Sequence, residues 1–561
     1  MRRHLWPVLL ILGAVVAVYS NALKNGFVWD DHVYIESNAF VQDPANLRVL
    51  LDWRYYLGTH EVLVGQRPVF LASLMADRAL WGDRPAGYHA TSVILHGANS
   101  VWVYALSAAL ALPPPLPLLA GLFFGLHPIQ TEAVDLVSFR AELLAAFFFL
   151  FSLWVYLKTR SAPARCVVPL AALCALLFGL ALLSKETAAT LPAMVLLLEL
   201  YFPEPAGRRL RLTGVLGGFA VVACLYAGFW APRFHYAGMA PESPLRSAVD
   251  RFAAAMPTAP RQGELKLGLE KGRIQHSGAW EWNSLLADRP AWTATMVKSA
   301  AGGLRLLAWP EPLVADRAPL VAKRWSEPGV IFSAALLLAL ALYAWLWRAR
   351  RPVLAFAAAW GLVALLPSMN FIPLYIPMAE RYLYLVTAGA AWAAASAICR
   401  LASRPRPLAG RAALLAAVLL AAGYGLKTRA RNYDWRSDKT LFLSSPEDAP
   451  RSSMARCNRG DVLRQDGRHG EAVREYAEAV RLRPAYAEAW LGLGAAYGSM
   501  GDLARAAACH EKALALAPDK AVMSLAYAIF LTRAGQKERA AALYRRALAL
   551  EPELAKRVTL P

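Results

Sequence analysis

The chain has 561 residues, of which 57% are hydrophobic and 18% are charged, and its formal net charge is +20. Soluble domains carry about a quarter charged residues and under half apolar ones, so this composition excludes a wholly soluble protein. The positive charge does not indicate a nucleic-acid partner, because the basic residues collect in short loops between apolar segments. The composition therefore predicts an integral membrane protein with a soluble part attached.

Eleven apolar segments are long enough, or nearly so, to cross a bilayer, whose hydrocarbon core takes about 20 helical residues. They lie at residues 5–22, 89–111, 115–127, 140–158, 166–183, 187–202, 211–231, 329–347, 352–366, 380–400 and 409–426. The shorter segments fit a membrane if they are tilted, broken or extended into their flanks. The first follows the basic stretch MRRH but lacks a small-residue cleavage site, so we interpret it as a membrane anchor and not as a signal peptide.

Basic loops predict the orientation of these segments. With a cytoplasmic N-terminus, the loops KTRSAPAR, PEPAGRRLR, RARR and CRLASRPRPLAGR all lie in the cytoplasm, as the positive-inside rule requires. The opposite face then receives a first external loop (24–88), a long external loop (232–328) and everything after residue 427, although KTRAR at 427–431 is basic. The Ala-, Leu- and Arg-rich composition is typical of a bacterium with high genomic GC content, which predicts the inner membrane with a periplasmic active face.

Ionisable residues of the loops and segment ends gather on that predicted external face. An ionisable residue at membrane depth costs about 2.5–3.5 kcal/mol on insertion scales, so such residues tend to mark function or mutual pairing. One such residue alone is ordinarily a hydrated helix end. The set on this face is Asp30, Asp31, His127, Glu132, Asp135, Arg140, Lys185, Glu186, Glu380 and Arg381. So many on one face predict a functional site.

The C-terminal part of the chain repeats with a period of 34 residues. Three sets of residues carry this period: prolines 484, 518 and 552, glycines 467, 501 and 535, and alanines 472, 506 and 540. A 34-residue period with a glycine turn and a closing proline predicts tetratricopeptide helix–turn–helix repeats, which form concave peptide-binding surfaces or serve as spacers. The chain therefore divides into a membrane domain (1–430), a linker (431–451) and three repeats (452–561).

Several motifs, taken in order, resemble those of a known family. They are NGFVWDD, QRP at 66–68, PAGYH at 85–89, HPIQTEAVDLVSFRAELLA, LLSKETAATLP and MAERYLYL, followed by the repeats. Together they resemble the transmembrane and tetratricopeptide-repeat O-mannosyltransferases and their bacterial relatives. This resemblance implies an all-α polytopic membrane bundle of the GT-C glycosyltransferase type. It also implies glycosyl transfer, with mannose as the sugar, from a polyprenyl-phosphate carrier.

Transfer from a lipid phosphate to a hydroxyl requires a base for the acceptor proton and cations for the departing phosphate. We predict that Asp30 or Asp31 is the catalytic base, because neighbouring carboxylates and partial burial raise a carboxyl pKa. The resemblance also implies a catalytic aspartate in the first external loop.

The predicted donor-phosphate ligands are Lys185 and Arg381, followed by Arg140 and Arg67, since arginine holds phosphate oxygens through parallel hydrogen bonds. The alternative is that Lys185 with Glu186 and Glu380 with Arg381 belong to structural ion pairs.

His127, Glu132 and His89 are candidates for binding the acceptor or the sugar. A divalent-metal site built from Asp31, His127 and Glu132 is a second interpretation of these side chains, since oxygen and imidazole ligands suit several divalent ions. His96 and Asn99, inside the second apolar segment, predict hydrogen bonds between helices. The six cysteines show no metal-binding spacing.

The sequence therefore predicts a membrane glycosyltransferase that moves a hexose from a polyprenyl-phosphate donor to a hydroxyl on protein recruited by the repeats. Two alternatives stay open. A non-enzymatic scaffold that presents the repeats to an envelope assembly would explain the repeats but not the charged motifs. A transporter or polymerase of lipid-linked saccharides would explain the charges but gives no reason for protein-binding repeats.

Overall fold

The computed structural model describes residues 2–51, 67–204, 207–229, 288–318, 321–370, 378–405, 408–449 and 451–552. These residues form helices and turns without any β-strand, which confirms the all-α prediction. Much of the two predicted external loops, at 52–66 and 230–287, lies outside the described residues. The chain divides into two compact units. The second unit comprises Val314–Ala318 and the residues from Asp438 onward, and the other described residues up to Ser437 form the first unit. This boundary lies within the stretch predicted as a linker, 431–451.

The first unit consists of helices of very different length. Those of at least eleven residues are Arg2–Tyr19, Pro68–Trp81, Pro85–Ala109, Leu116–Leu126, Arg140–Thr159, Ala164–Ser184, Leu191–Tyr201, Arg208–Phe229, Arg289–Ala308, Pro328–Leu346, Pro352–Leu365, Val386–Ala402 and Ala409–Arg431. Shorter ones are Ala39–Gln42, Leu47–Leu51 and Thr131–Asp135, and single turns of 3-10 helix lie at Pro128–Gln130, Val137–Phe139, Glu186–Thr190 and Glu380–Leu383.

Each of the eleven predicted apolar segments overlaps one of these helices over most of its length. Six stretches of the described residues are long and apolar enough to cross a membrane, namely Val137–Thr159, Ala164–Ser184, Arg208–Ala227, Pro328–Leu346, Pro352–Met369 and Ala409–Arg436. The first unit is therefore a polytopic membrane bundle, and the number of eleven spans stays a prediction.

Prolines mark where several of these helices begin. Pro68, Pro85, Pro328 and Pro352 each occupy the first helical position, where proline loses no helical hydrogen bond and its fixed φ already suits the helix. Helix Arg289–Ala308 begins with an aspartate cap, because the Asp288 side chain accepts a hydrogen bond from the Ala291 N–H.

Tryptophans and a glycine pack the centre of the membrane bundle. The Trp360 and Trp392 rings meet edge to face with centroids 5.0 Å apart, and both are buried. At Gly389 the neighbouring helix comes so close that a Cβ would lie 2.7 Å from the Ala357 carbonyl oxygen. The helices Pro352–Leu365 and Val386–Ala402 thus use a small residue to approach each other, as membrane helices commonly do.

His96 and Asn99 make the predicted hydrogen bonds between helices. One His96 ring nitrogen lies 2.7 Å from the Tyr384 hydroxyl, and the other lies 3.0 Å from the Gly125 carbonyl oxygen. The Asn99 amide donates to the Leu143 carbonyl oxygen over 3.0 Å. The prediction for both residues is confirmed.

The second unit contains the tetratricopeptide repeats, preceded by helix Asp438–Asp448. Its helices form three consecutive pairs: Ser453–Gln465 with His469–Leu482, Ala487–Ser499 with Leu503–Leu516, and Ala521–Arg533 with Lys537–Leu550. Gly467, Gly501 and Gly535 form the turns inside the pairs with φ of 76°, 81° and 78°, a left-handed conformation that glycine adopts without steric cost. The prediction of tetratricopeptide repeats in this part of the chain is confirmed.

Candidate functional site

The loop that carries the two aspartates is fixed by the last membrane helix and its C-terminal turn. The Gly26 N–H donates to the Arg436 carbonyl oxygen over 3.1 Å, and the Asn25 side chain donates to the Asn432 carbonyl oxygen over 3.2 Å. On the other side, His89 Nε2 lies 3.2 Å from the Gly26 carbonyl oxygen, which identifies Nε2 as the protonated ring nitrogen. His89 is fully buried, so it positions this loop.

Asp31 is the buried member of the pair. One carboxylate oxygen accepts a 2.7 Å hydrogen bond from the Ser138 N–H, and the other lies 3.5 Å from the Val28 N–H. Burial raises the Asp31 pKa to about 7, against the opposing effect of these hydrogen bonds. Asp31 therefore binds the first external loop to the turn Val137–Phe139.

Asp30 is the accessible member of the pair. Its side chain is partly exposed, and its carboxylate makes no hydrogen bond to any of the described residues. Burial raises its pKa to about 6, although the positive charge of Arg381 acts in the opposite direction. The preceding Trp29 has a φ of 49°, a strained value for a bulky residue that is typical of functional sites. Asp30 thus has the position and the pKa of a general base.

Three ion pairs join loops that are far apart in the sequence. Arg67 binds both carboxylate oxygens of Glu186 at 2.8 and 3.1 Å, and Lys185 pairs with Glu142. The guanidinium and the backbone N–H of Arg381 each bind one oxygen of Glu132, the N–H over 2.7 Å. The lysine and the two arginines therefore do belong to ion pairs, and their partners come from other motifs.

Together with Asp30, these six side chains form what we call the charged cluster. Burial, together with the negative charges of Asp30 and Glu186, raises the Tyr34 pKa to about 12, although the positive charges of Arg67 and Arg381 act in the opposite direction. The Tyr382 ring lies between two of the cations, 5.3 Å from Lys185 Nζ and 5.1 Å from the Arg381 guanidinium. The charged cluster brings together Asp30, Arg67, Glu132, Glu142, Lys185, Glu186 and Arg381.

The cations of the charged cluster keep hydrogen-bond donors for a further ligand. The Arg67 Nε is buried and has no hydrogen-bond partner in the part of the chain that the structure describes, while the side chains of Arg67 and Glu186 are 25% and 34% exposed. Lys185 and Arg381 lie deeper, each 7% exposed. Arg381 Nε has no hydrogen-bond partner among the described residues. An anion that enters past Arg67 would therefore meet unused N–H groups.

Arg140 lies outside the charged cluster. It is fully buried against Asp77 at 2.6 Å, and its remaining N–H groups donate to the Ser92 hydroxyl over 3.2 Å and to the Tyr88 carbonyl oxygen over 2.8 Å. A guanidinium engaged in this way supports the framework, so the structure does not bring Arg140 together with the other predicted phosphate ligands.

His127 also lies outside the charged cluster. One of its ring nitrogens accepts from the Ile129 N–H over 3.2 Å, and the other lies 3.1 Å from the Leu307 carbonyl oxygen. Because Asp31 and Glu132 are likewise engaged by Ser138 and Arg381, the three residues considered for a metal bind three different partners. The described residues contain no group of three His, Cys, Asp or Glu side chains arranged as metal ligands.

An apolar cavity of about 600 Å³ lies inside the membrane bundle. Its walls include Leu304, Leu307, Val386, Ala390 and Tyr424, and His127 lies at its edge. A smaller cavity is lined by Gly303, Leu383 and Tyr382, the tyrosine of the charged cluster. Residues of helix Arg289–Ala308 therefore line both cavities.

Glu142, Tyr34 and Tyr382 are the site residues that the sequence reasoning missed. Glu142 had a visible signal, since it is an acidic residue at the start of the apolar helix Arg140–Thr159. Tyr382 directly follows Arg381, but a tyrosine after a charged motif is common at membrane interfaces and carries no signal by itself.

Comparison with known proteins gives two matches to family models, described as "TPR repeat" over residues 460–501 and "Tetratricopeptide repeat" over residues 487–520. Among curated proteins, the chain is 24% identical over 537 residues to Protein O-mannosyl-transferase TMTC3 of Homo sapiens, covering 92% of this chain and 55% of that protein. It is 26% identical over 517 residues to Protein O-mannosyl-transferase TMTC1 of Homo sapiens, covering 86% and 56% respectively.

The resemblance to the transmembrane and tetratricopeptide-repeat O-mannosyltransferases is confirmed. The chain spans about half the length of the curated relatives it matches. Among solved structures, the apo form of the Archaeoglobus fulgidus oligosaccharyltransferase superposes with a TM-score of 0.43 and 15% sequence identity, covering 76% of this chain and 56% of that one. The O-mannosyltransferase relatives and the apolar helices together indicate a multi-pass membrane protein.

Proposed function

We propose that this chain is a GT-C-type membrane glycosyltransferase that moves a hexose, with mannose as first candidate, from a polyprenyl-phosphate donor to a serine or threonine hydroxyl of protein. The observation that carries the proposal is Asp30, a partly exposed carboxylate with a raised pKa that interacts with the charge of Arg381, one of the three cations of the charged cluster. The relatives, named as protein O-mannosyl-transferases, support the choice of sugar and acceptor.

In the proposed reaction Asp30 accepts the proton of the acceptor hydroxyl while the oxygen of that hydroxyl attacks the anomeric carbon of the sugar. The bond between that carbon and the phosphate oxygen breaks, and polyprenyl phosphate leaves with the electron pair. This single displacement inverts the anomeric configuration. A carboxylate with a pKa of about 6 is well matched to the task, because it is ionised near neutral pH and still basic enough to take a proton.

The leaving phosphate gains negative charge, which the cations of the charged cluster would stabilise. Arg67 lies at the exposed edge, and its buried Nε has no hydrogen-bond partner among the described residues, so we propose that it binds the phosphate first. Lys185 and Arg381, at the buried end of the charged cluster, would bind the phosphate next. Their carboxylate partners hold the cations in place before the donor arrives, which lowers the cost of reorganisation.

The lipid chain of the donor needs an apolar site next to the phosphate. The cavity of about 600 Å³ is lined by leucine, valine, alanine and tyrosine side chains, and a separate, smaller cavity includes Tyr382 of the charged cluster. We propose that the first isoprene units lie between the helices Arg289–Ala308 and Val386–Ala402. The repeats would recruit the protein acceptor, and the charged cluster would lie on the periplasmic side of a bacterial inner membrane, as the basic loops predict.

The proposal is tested with the purified protein in lipid, given a series of hexoses linked to polyprenyl phosphate and a serine- and threonine-rich peptide. Mass spectrometry would follow the sugar on the peptide, and Asp30→Asn would serve as the inactive control. A parallel reaction with a chelator would report whether a divalent metal is needed. Donor consumption without peptide modification would favour a glycan acceptor, and no consumption of any donor would favour the scaffold or transporter alternative.

A further inference from the structure

A second group of charged residues, separate from the charged cluster, surrounds the buried carboxylate of Glu199. Arg160 donates to Glu199 Oε1 over 3.0 Å. The Arg208 Nε lies 3.2 Å from the other carboxylate oxygen, and an Arg211 terminal nitrogen lies 3.6 Å from Oε1. We call these four residues the arginine cluster.

The arginine cluster is not neutral, because three guanidinium groups share one carboxylate. The Tyr156 hydroxyl also donates to Glu199 Oε1, over 2.6 Å, and so takes up further accepting capacity. The Arg160 Nε is buried and has no hydrogen-bond partner among the described residues. Cations held this close repel each other, and a further anion placed among them would offset that repulsion.

This excess of positive charge lies at the membrane face opposite the charged cluster. Helix Arg140–Thr159 carries Glu142 of the charged cluster in its first turn and ends next to Arg160. Its 20 residues span about 30 Å, the thickness of the hydrocarbon core. The arginine cluster therefore lies at an interface between lipid and water.

The surface beside the arginine cluster is apolar and exposed. Leu196, Leu200 and Leu210 are 50%, 41% and 47% exposed, as expected for side chains that contact lipid chains. Arg208 is half exposed and gives access to the cluster from this side. Lys158 Nζ lies 4.7 Å above the Trp154 ring, and tryptophan is typical of the headgroup level of a membrane.

We propose that the arginine cluster binds the phosphate headgroup of an anionic glycerophospholipid, whose acyl chains lie along Leu196, Leu200 and Leu210. Phosphate oxygens would accept from Arg160 Nε and from the exposed guanidinium of Arg208, which offsets part of the excess charge. Basic pockets between membrane helices are known to hold anionic headgroups. A lipid in this place would also cover the apolar surface between the helices Leu191–Tyr201 and Arg208–Phe229.

Lipid binding is measured on the full-length protein in detergent by native mass spectrometry and by the shift in Tm. Phosphatidylglycerol should bind and raise Tm, whereas phosphatidylcholine and inorganic phosphate should do neither. Arg208→Gln should weaken phosphatidylglycerol binding about tenfold, since it removes a guanidinium that contacts the phosphate. The matched control is Arg209→Gln, an exposed arginine on the same helix outside the cluster, which should bind as the wild type does.

Glu199→Gln gives a test in the opposite direction. It removes the negative charge that competes with the lipid phosphate, so the folded variant should bind phosphatidylglycerol more tightly than the wild type. Equal losses in Arg208→Gln and Arg209→Gln would show an unspecific charge effect and overturn the proposal. If inorganic phosphate raised Tm as much as phosphatidylglycerol does, the ligand of the arginine cluster would be a free anion and not a lipid. If Arg208→Gln lowered Tm equally with and without lipid, Arg208 would have a structural role only.

Discussion

The backbone N–H of Ser138 donates a 2.7 Å hydrogen bond to the buried carboxylate of Asp31. This bond joins the first external loop to the turn that precedes helix Arg140–Thr159, and it lies one residue from Phe139, whose ring stacks on the Arg381 guanidinium at 3.8 Å. One aspartate of the pair therefore holds the loop in place, and the other, Asp30, is free to react. The two adjacent carboxylates have different surroundings and, we predict, different roles.

The first prediction separates these roles. Asp30→Asn should fold normally and reduce transfer about 10²–10⁴-fold, because it removes the positioned base. Asp31→Asn should keep transfer within about tenfold of wild type, since the amide oxygen still accepts from Ser138. Asp31→Ala should lower stability by about 1–3 kcal/mol, because the Ser138 N–H loses its acceptor. Initial rates and thermal unfolding measure all three, and a severe loss in Asp31→Asn with an active Asp30→Asn would reverse the assignment.

The second prediction is a pH dependence. Because Asp30 must be ionised to accept a proton and its pKa is raised to about 6, kcat/KM should fall about tenfold per pH unit below pH 6. Protonation of Asp31 at low pH would not unfold the protein, so unfolding caused by Asp31 does not explain this fall in kcat/KM. Its folded pKa, about 7, lies above its unfolded value, so protonation of Asp31 favours the folded state, and that contribution is lost as the pH rises. A rate that stays constant from pH 7 to pH 5, with unfolding excluded by Tm, would contradict Asp30 as the base.

The sequence predicted the local part of this architecture well. The repeats were predictable because glycines with left-handed turns recur every 34 residues. The membrane helices were predictable because each is encoded by one continuous apolar segment. The ion pairs were beyond such reasoning. Lys185 lies next to Glu186 in the chain but pairs with Glu142, 43 residues away, and Arg381 pairs with Glu132 across 249 residues. Such partners depend on which helix ends meet in the folded bundle.

The two aspartates also show which features of the site could not be predicted from the sequence. Their position at the start of the first external loop and their raised pKa follow from the sequence pattern and from burial. Which of them is accessible depends on the Ser138 N–H, 107 residues away. Arg140 gives a similar lesson, because a charged residue in a motif that resembles those of the family can make buried framework contacts to Asp77 and Ser92.

The third prediction concerns the donor phosphate. Arg67→Gln should raise the KM for the lipid donor about tenfold or more and leave the KM for the acceptor peptide nearly unchanged, because a charge-assisted hydrogen bond to the phosphate is lost. Arg84→Gln is the matched control, since Arg84 is an exposed arginine outside the charged cluster. A change confined to the acceptor KM would place Arg67 on the acceptor side of the site.

The fourth prediction concerns the lipid chain of the donor. Ala390→Phe should fill part of the cavity of about 600 Å³ and so weaken binding of donors with long polyprenyl chains. Donors with one or two isoprene units should react as with wild type, because their chains end before the cavity. Ala397→Phe on the exposed side of the same helix is the control. The same rate loss for short and long donors would show that the cavity does not hold the chain, even if the transfer reaction itself is established.

The last prediction concerns the repeats. Gly501→Val should destabilise the middle repeat pair, because Gly501 has a φ of 81° and a β-branched residue is strained there. The helices Ala487–Ser499 and Leu503–Leu516 would then lose the turn that joins them. If the repeats recruit the acceptor, transfer to a protein substrate should fall sharply, because the local concentration of its hydroxyl groups falls, while transfer to a short peptide should stay close to wild type. Gly470→Val is the comparison, since its glycine needs no left-handed backbone and a Cβ there meets open space. Parallel loss with the protein and the peptide would show that the repeats support the fold of the enzyme, and no loss with either would leave them a role as spacers.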